Sequence, residues 1–158
     1  MKGVSRDFAS SILIFIVCML LSYSAGIFGS FFNYSSTWYE SIKPSIAPPN
    51  WMFPVVWNIL YFSIGLSLFY LWTNKSKKNK KPIFTAFAVN LIANGFWSYF
   101  FFGLQMPGIA FIDLLVILIS LVWIMYSSWT ISHKVTYLLI PYLIWIVFTG
   151  ILNLLILI

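Results

Sequence analysis

The residues that could bind or transform a small molecule are aromatic, amide and hydroxyl side chains on one face of three long apolar segments. In the third segment, the face that a helix would present carries Asn90, Asn94, Trp97, Ser98 and Phe101. The matching face of the fifth segment carries Tyr142, Trp145, Thr149 and Asn153, and that of the second carries Trp57 and Tyr61. Aromatic surfaces beside a few hydrogen-bonding groups would form a pocket for a large, flat, mostly apolar ligand.

The same pattern has a second interpretation, in which these side chains only hold helices together. Asn and Ser side chains bonded across helices, with Trp as filler, would give the same spacing. Asp113 is also open to two interpretations, because it is the one acidic residue within an apolar segment. It could bond a neighbouring helix end, which we favour, or serve as a proton or ligand site.

Constellations for acid–base, nucleophilic or metal catalysis are absent from the sequence. His133 is the only histidine and Cys18 the only cysteine, and no catalytic triad, carboxylate pair or phosphate-binding glycine motif is found. His133 is expected in a loop beside Lys134, away from the aromatic face, which disfavours it as a haem ligand. We therefore expect no metal site and no required cofactor.

The composition is that of a membrane protein. Of the 158 residues, 61% are hydrophobic and 8% are charged, whereas about a quarter are charged in a soluble domain. Because about 20 apolar residues cross a bilayer, we predict an all-α, polytopic membrane protein with one domain over residues 1–158. The predicted five-transmembrane-helix bundle has spans at about 8–32, 51–72, 83–104, 109–129 and 137–158.

Positive charges are distributed unequally between the two ends of these spans. Eight lysines and arginines lie in the amino terminus, the segment 74–82 and the last loop, and only Lys43 lies on the opposite side. Positive loops favour the cytoplasm, so we predict that loop 33–50 and the carboxyl terminus lie outside. The clustered lysines would contact lipid headgroups, and no nucleic acid partner is expected.

The stretch joining the first two spans is rich in aromatic residues and proline. Residues 38–61 contain three Trp and four Pro, which an interfacial aromatic belt would explain only in part. Pro48 and Pro49 exclude a helix immediately before Asn50, so we predict a non-helical loop. Asn50 would then cap a helix that starts near Trp51.

The first apolar segment begins like a signal peptide, with basic residues followed by small ones. Its apolar character continues to Phe32, so we interpret it as a retained helix. Ser22, Gly26 and Ser30 recur at every fourth position, a stripe that would allow close helix packing.

Short motifs occur in a fixed order along most of the chain. They are Trp38-Tyr39, Lys43-Pro44, Pro48-Pro49-x-Trp51, Phe53-Pro54, Trp57-x-x-Leu60-Tyr61, Asn90-x-x-x-Asn94-x-x-Trp97-Ser98, Asp113-Leu114-Leu115, Pro141-Tyr142-x-x-Trp145-x-x-Phe148 and Leu152-Asn153. In this order they resemble the TspO/MBR family of tryptophan-rich sensory proteins and translocator proteins, which includes the peripheral-type benzodiazepine receptor. The short chain is typical of a bacterial member.

The resemblance implies a five-helix bundle, usually dimeric, in the bacterial cytoplasmic membrane, with a ligand cavity under loop 33–50. Ligands of the family are porphyrins such as protoporphyrin IX and haem, sterols in mammalian members, and synthetic isoquinoline carboxamides. Matched positions imply a cavity built with Tyr39, Pro49, Trp57, Asn94, Phe101, Trp145 and Thr149. Trp57 and Trp145 correspond to the indoles linked to light-dependent porphyrin breakdown in some bacterial members.

Two positions depart from the family pattern. The chain ends in Asn153-Leu154-Leu155-Ile156-Leu157-Ile158, without the Tyr and basic residue of the mammalian sterol motif, so sterol recognition by that motif is not supported. Ile46 stands where the family often has an aromatic residue in loop 33–50, which is expected to cover the cavity.

From these observations we expect a membrane receptor or sensor that binds a porphyrin-type tetrapyrrole. The expected ligand-binding residues are Tyr39, Pro49, Trp57, Tyr61, Asn90, Asn94, Trp97, Ser98, Phe101, Trp145 and Thr149. Light-dependent porphyrin degradation with Trp57 and Trp145 as candidate catalytic residues is an alternative, and transport is another. A homodimer is expected, with Ala86 or the small-residue stripe of the first span at its contact.

Overall fold

The computed structural model describes the backbone of residues 2–32 and 36–158, and the side chains of residues 8–32 and 37–158. Its helices are α1 (Lys2–Ser30), α2 (Ser36–Ile42), α3 (Met52–Thr73), α4 (Lys81–Ser98), α5 (Pro107–Trp129) and α6 (His133–Leu157), with a π-helical segment, Tyr99–Gly103, continuing α4. No strand occurs in these ranges. Five of the described helices are long and apolar enough to cross a membrane. The predicted all-α five-helix bundle is confirmed.

The five long helices form a closed ring. α1 packs on α3 and α4, α4 packs on α5, α5 on α6, and α6 on α3. At one end of the ring the interior is filled by side chains with no exposed surface, among them Leu71, Leu121, Ile124, Val135 and Leu139. The opposite end lies beside α2, and there the helices enclose a cavity.

The small-residue stripe of α1 is used inside the chain. The Ser22 hydroxyl, which is fully buried, donates a 2.6 Å hydrogen bond to the Tyr61 carbonyl of α3. Gly26 lies directly against the Tyr61 ring, so that any side chain there would overlap it. Ser22 and Gly26 therefore bring α1 close to α3, whereas the Ser30 hydroxyl bonds Ile27 within α1. Use of the stripe as a dimer contact stays a prediction. Ala86 is half-buried beside the core.

Three helices begin earlier than hydropathy predicted. α4 starts at Lys81, α5 at Pro107 and α6 at His133, where the sequence indicated Ile83, Ile109 and Tyr137. In each helix the first turn begins before the apolar span, because hydropathy marks the membrane-embedded length and leaves the helix end undefined. Pro107 suits a first-turn position, where its missing N–H is not needed.

The prediction that residues 38–50 are non-helical is wrong for their first part. The segment Ser36–Ile42 is α-helical, because its sequence contains no Pro or Gly before Pro44. Residues 33–35 of the predicted loop lie outside the described residues.

The predicted capping role of Asn50 is also wrong. The residue before α3 is Trp51, and no side chain caps the helix there. The turn already begins at Pro49, whose carbonyl accepts a 2.9 Å bond from the Met52 N–H. Asn50 is thus held in the turn, and its side chain bonds residues of the preceding segment instead.

Candidate ligand cavity

The cavity lies between the ring of helices and α2, with a volume of about 550 Å³. This is within the range of about 300–1,000 Å³ typical of small-molecule sites. Its walls come from the second half of α1, the first halves of α3 and α5, and the second halves of α4 and α6, and α2 contributes Tyr39. Aromatic and aliphatic side chains dominate these walls, as the sequence led us to expect of a pocket for an apolar ligand.

Most of the residues that were predicted from the sequence to bind a ligand line this cavity. They are Tyr39, Trp57, Tyr61, Asn94, Trp97, Ser98, Phe101 and Thr149. Three different helices and the lid segment therefore bring together residues that are far apart in sequence.

The other three residues predicted to bind a ligand do not line the cavity. Pro49 forms the turn before α3. Asn90 is buried between helices, and its Nδ2 donates to the Ile117 carbonyl at 2.9 Å. Trp145 packs edge-on against Phe53, at 5.7 Å between ring centroids, and it is Phe53 that faces the cavity. Contact of these three residues with a ligand stays a prediction.

A chain of hydrogen bonds crosses the bundle beneath the cavity. The Tyr61 hydroxyl donates to Asn94 Oδ1 at 2.7 Å, and Asn94 Nδ2 donates to the Tyr142 hydroxyl at 3.0 Å. Tyr142 in turn donates to Asn90 Oδ1 at 3.0 Å, and Asn90 Nδ2 donates to Ser120 Oγ at 3.0 Å. Because these residues join α3, α4, α6 and α5, the network links helices, as the second interpretation expects. Asn94 also lines the cavity, and its contact with a ligand stays a prediction.

Two pairs of nearly parallel rings stand on different walls of the cavity. Trp57 stacks on Tyr61, with 5.3 Å between centroids and 26° between planes. Trp97 stacks on Phe101 at 4.8 Å and 15°. All four residues line the cavity, so a flat ligand would meet ring surfaces from α3 and from α4 with its π-helical extension.

α2, which covers the cavity and is called the lid below, rests on this second pair of rings. Tyr39 packs edge-on against Phe101 and Phe102, with ring centroids at 6.1 and 5.8 Å, and Trp38 packs edge-on against Phe101 at 5.5 Å. Burial raises the pKa of the Tyr39 phenol above its ordinary value, and the neighbouring Glu40 carboxylate adds to the effect.

A small polar cluster fastens α2 to the start of α3. Asn50 Nδ2 donates to Glu40 Oε1 at 2.6 Å, and Lys43 Nζ donates to Asn50 Oδ1 at 2.7 Å. Lys43 also lies 3.9 Å from Glu40 and over the Tyr39 ring. Asn50 itself lines the cavity, so the cluster forms part of its mouth.

Sequence reasoning missed the contribution of α1 and of several α3 side chains. The missed lining residues include Tyr23, Gly26, Gly29, Ser30, Phe53 and Asn58. The small-residue stripe was a usable signal for α1, because a helix that approaches closely exposes its backbone to the shared interior.

Several buried polar atoms have no partner among the described residues. They are Trp97 Nε1, Asp113 Oδ2, Trp145 Nε1 and both amide atoms of Asn153. Of these residues, Trp97 and Asn153 line the cavity. Asp113 does not, and its two interpretations stay open.

In the described ranges, no three His, Cys, Asp or Glu side chains converge as metal ligands.

Comparison with known proteins gives consistent matches. The sequence pattern of the TspO/MBR family matches residues 16–158. The tryptophan-rich protein TspO of Archaeoglobus fulgidus is 36% identical over 153 residues, covering 90% of this chain and 94% of that protein. Protein CrtK of Rhodobacter capsulatus is 30% identical, with 90% of each chain covered. The human translocator protein is 31% identical over 119 residues, covering 73% of this chain and 70% of its own. With five helices able to cross a membrane and these relatives, this chain belongs to the TspO/MBR family of multi-pass membrane proteins.

Proposed function

We propose that the protein is a membrane receptor or sensor that binds a porphyrin-type tetrapyrrole, such as protoporphyrin IX or haem, in the cavity under α2. The observation that carries this proposal is the pair of ring stacks, Trp57 on Tyr61 and Trp97 on Phe101, in one cavity of about 550 Å³. A flat macrocycle placed against them would bury apolar surface at about 25 cal/mol per Å², before ordering costs.

The proposed setting is the bacterial cytoplasmic membrane, with α2 on the outer side and the lysines of 74–82 in the cytoplasm. The unequal distribution of positive charge supports this orientation. A homodimer is also proposed, on the resemblance to the family alone.

A light-dependent breakdown of the bound porphyrin is the second candidate function. Trp57 supports it, because its indole faces the cavity and stacks on Tyr61, so an excited macrocycle would lie beside an oxidisable ring. The photochemistry would be that of the ligand, and the protein would position it.

The proposal is tested by titrating purified protein with protoporphyrin IX in the dark and following tryptophan fluorescence. We expect saturable quenching, and about fivefold weaker binding in Trp57→Phe, since the smaller ring buries less apolar surface and stacks over a smaller area, a loss of about 1 kcal/mol. Trp123→Phe is the matched control, because Trp123 is 52% exposed on α5 and does not line the cavity.

Absence of saturable quenching, or equal weakening in both variants, would contradict binding in this cavity. Illumination of the same samples separates the two functions. A new absorption spectrum in the wild type that fails to develop in Trp57→Phe would favour degradation, and an unchanged spectrum would favour a receptor.

A further inference from the structure

One patch of the cavity wall carries buried polar atoms that lack hydrogen-bond partners. Asn153 of α6 is 1% exposed, and neither its Nδ2 nor its Oδ1 is bonded. Trp97 Nε1 of α4 is also buried without a partner. Trp97 and Ile156 pack against the same cluster of Tyr39, Phe101 and Ala110, and Ile156 lies about one turn after Asn153 on α6. Trp97 and Asn153 are therefore both near this cluster.

Three other polar side chains that line the cavity are bonded within the protein. Asn94 bonds Tyr61 and Tyr142, Asn58 Nδ2 donates to the Pro54 carbonyl at 2.9 Å, and the Thr149 hydroxyl donates to the Trp145 carbonyl at 2.8 Å. Buried polar groups in proteins are nearly always bonded, and leaving an amide unbonded is unfavourable. The unbonded atoms at Asn153 and Trp97 therefore require a specific explanation.

The chemistry of the two side chains defines what would satisfy them. The Asn153 amide presents a donor and an acceptor side by side, so its complement is a group with an acceptor beside a donor. Trp97 Nε1 is a donor only, so it adds a need for an acceptor. A carbonyl oxygen next to an N–H or O–H has this arrangement, as in a carboxamide or a protonated carboxyl group.

The surrounding charges favour a neutral group. No Lys or Arg is among the described residues that line the cavity, so an ionised carboxylate there would have no counter-charge after losing its hydration. Asn153 lies near the end of α6, about 16 Å along that helix from Tyr142, at 1.5 Å per residue. The unbonded patch is thus separated along α6 from the satisfied network beneath the cavity.

We propose that Asn153 and Trp97 form a subsite for a neutral carbonyl group that carries its own N–H or O–H. This inference rests on the proposed function, since it concerns one end of the ligand in the same cavity. The macrocycle then lies deeper, against Trp57 and Tyr61, while a side group of the ring pairs with the Asn153 amide. Recognition of that side group selects among ligands with the same ring.

The test compares two neutral derivatives of one porphyrin in the dark. The diamide of protoporphyrin IX keeps a donor beside each carbonyl, whereas the dimethyl ester keeps the carbonyls and lacks the donors. We expect the wild type to prefer the diamide about tenfold, equivalent to about 1.4 kcal/mol. Asn153→Leu is expected to reduce this preference to less than about twofold, mainly by weakening diamide binding.

Asn58→Leu is the matched control, because Asn58 lines the same cavity and its Nδ2 is already bonded to Pro54. It should keep the tenfold preference, and thermal unfolding in detergent identifies any variant that does not fold. Trp97→Phe provides a second folded variant that retains the ring but lacks the N–H, and it should bind both derivatives more weakly.

Each result has one consequence. Saturable binding of both derivatives with no preference in the wild type, or a preference unchanged in Asn153→Leu, would overturn the subsite and leave the proposed function standing. If neither derivative binds saturably while protoporphyrin IX does, the subsite is overturned and the proposed function stands. If protoporphyrin IX also fails to bind, the proposed function fails and the subsite with it. Loss of preference in Asn153→Leu, with retention in Asn58→Leu, supports the subsite.

Discussion

Asn90 and Asn94 lie one helical turn apart on the same face of α4, yet they have different surroundings. Asn90 is enclosed by α5 and α6, with bonds to Ile117, Ser120 and Tyr142. Asn94 bonds Tyr61 and Tyr142 while one side of it lines the cavity. The position one turn closer to the open end of the bundle therefore adds contact with the cavity to the amide's role as a link between helices.

This difference predicts that Asn90→Leu destabilises the protein while ligand affinity changes little. The substitution leaves the proton of the buried Tyr142 hydroxyl without its acceptor and removes the bonds from Asn90 Nδ2 to Ile117 and Ser120, at about 1–3 kcal/mol. Thermal unfolding in detergent gives the stability, and porphyrin titration gives the affinity. Asn58→Leu should stay within about 0.5 kcal/mol of the wild type, because it breaks only a bond within α3. Equal destabilisation of the two variants would contradict this assignment.

Tyr39 predicts an alkaline limit to closure of the lid. Burial, reinforced by Glu40, raises its pKa above the ordinary value of 10.0. The closed lid favours the neutral Tyr39 phenol. The stabilisation of closure by this phenol is therefore fully present below its ordinary pKa and is lost as pH rises through its raised pKa. Bound porphyrin should dissociate faster above about pH 10, as followed by stopped-flow fluorescence. The same acceleration in Tyr39→Phe would show that another group is responsible.

The helices and their inward faces could be predicted from the sequence, because long apolar runs and recurring polar positions follow directly from the membrane environment. The contacts at the cavity mouth could not be predicted from the sequence. Trp145 and Thr149 share a face by spacing, but only Thr149 lines the cavity, and Trp145 packs against Phe53 of α3, which lines it instead. Helical periodicity describes one helix at a time, whereas the neighbouring helix decides which of two adjacent positions is covered.

The lid helix illustrates the same limit. The segment was predicted to be irregular because of Pro44, Pro48 and Pro49, so the seven-residue helix α2 was not predicted. A helix this short is marginal alone, so its stability comes from packing Trp38 and Tyr39 on the π-helical segment. Neither the π turn nor its contact with α2 has a sequence signal of its own.

The polar contacts of Glu40, Lys43 and Asn50, which join α2 to the start of α3, predict that Glu40→Ala speeds ligand exchange. The substitution removes the carboxylate that accepts a hydrogen bond from Asn50 and lies beside Lys43. These two surface contacts together stabilise the closed position of α2 by about 0.5–1 kcal/mol. Dissociation of bound protoporphyrin IX should become about two- to fivefold faster. Ser41→Ala is the control, because that hydroxyl bonds only the Trp38 carbonyl within the same segment. If both variants exchange ligand at the wild-type rate, the cluster does not hold the lid.

Across the whole molecule, one end of the helix ring is densely packed and the other encloses the cavity. Leu139 has no exposed surface and lies at the packed end, whereas Leu152 is 4% exposed and lines the cavity. Stability and binding should therefore depend on different ends of the same helices, as in sites held by a rigid scaffold.

Leucine-to-alanine substitution at each end tests this division. Leu139→Ala should cost about 2–5 kcal/mol, because it opens a new void among packed side chains. Leu152→Ala should cost less, since its side chain borders space that already exists, and it should change porphyrin affinity while Leu139→Ala leaves the Kd within about twofold. Thermal unfolding and dark titration of the same two proteins measure both quantities. Equal loss of affinity in both variants would mean that the packed end also shapes the cavity, and that the bundle responds as one cooperative unit.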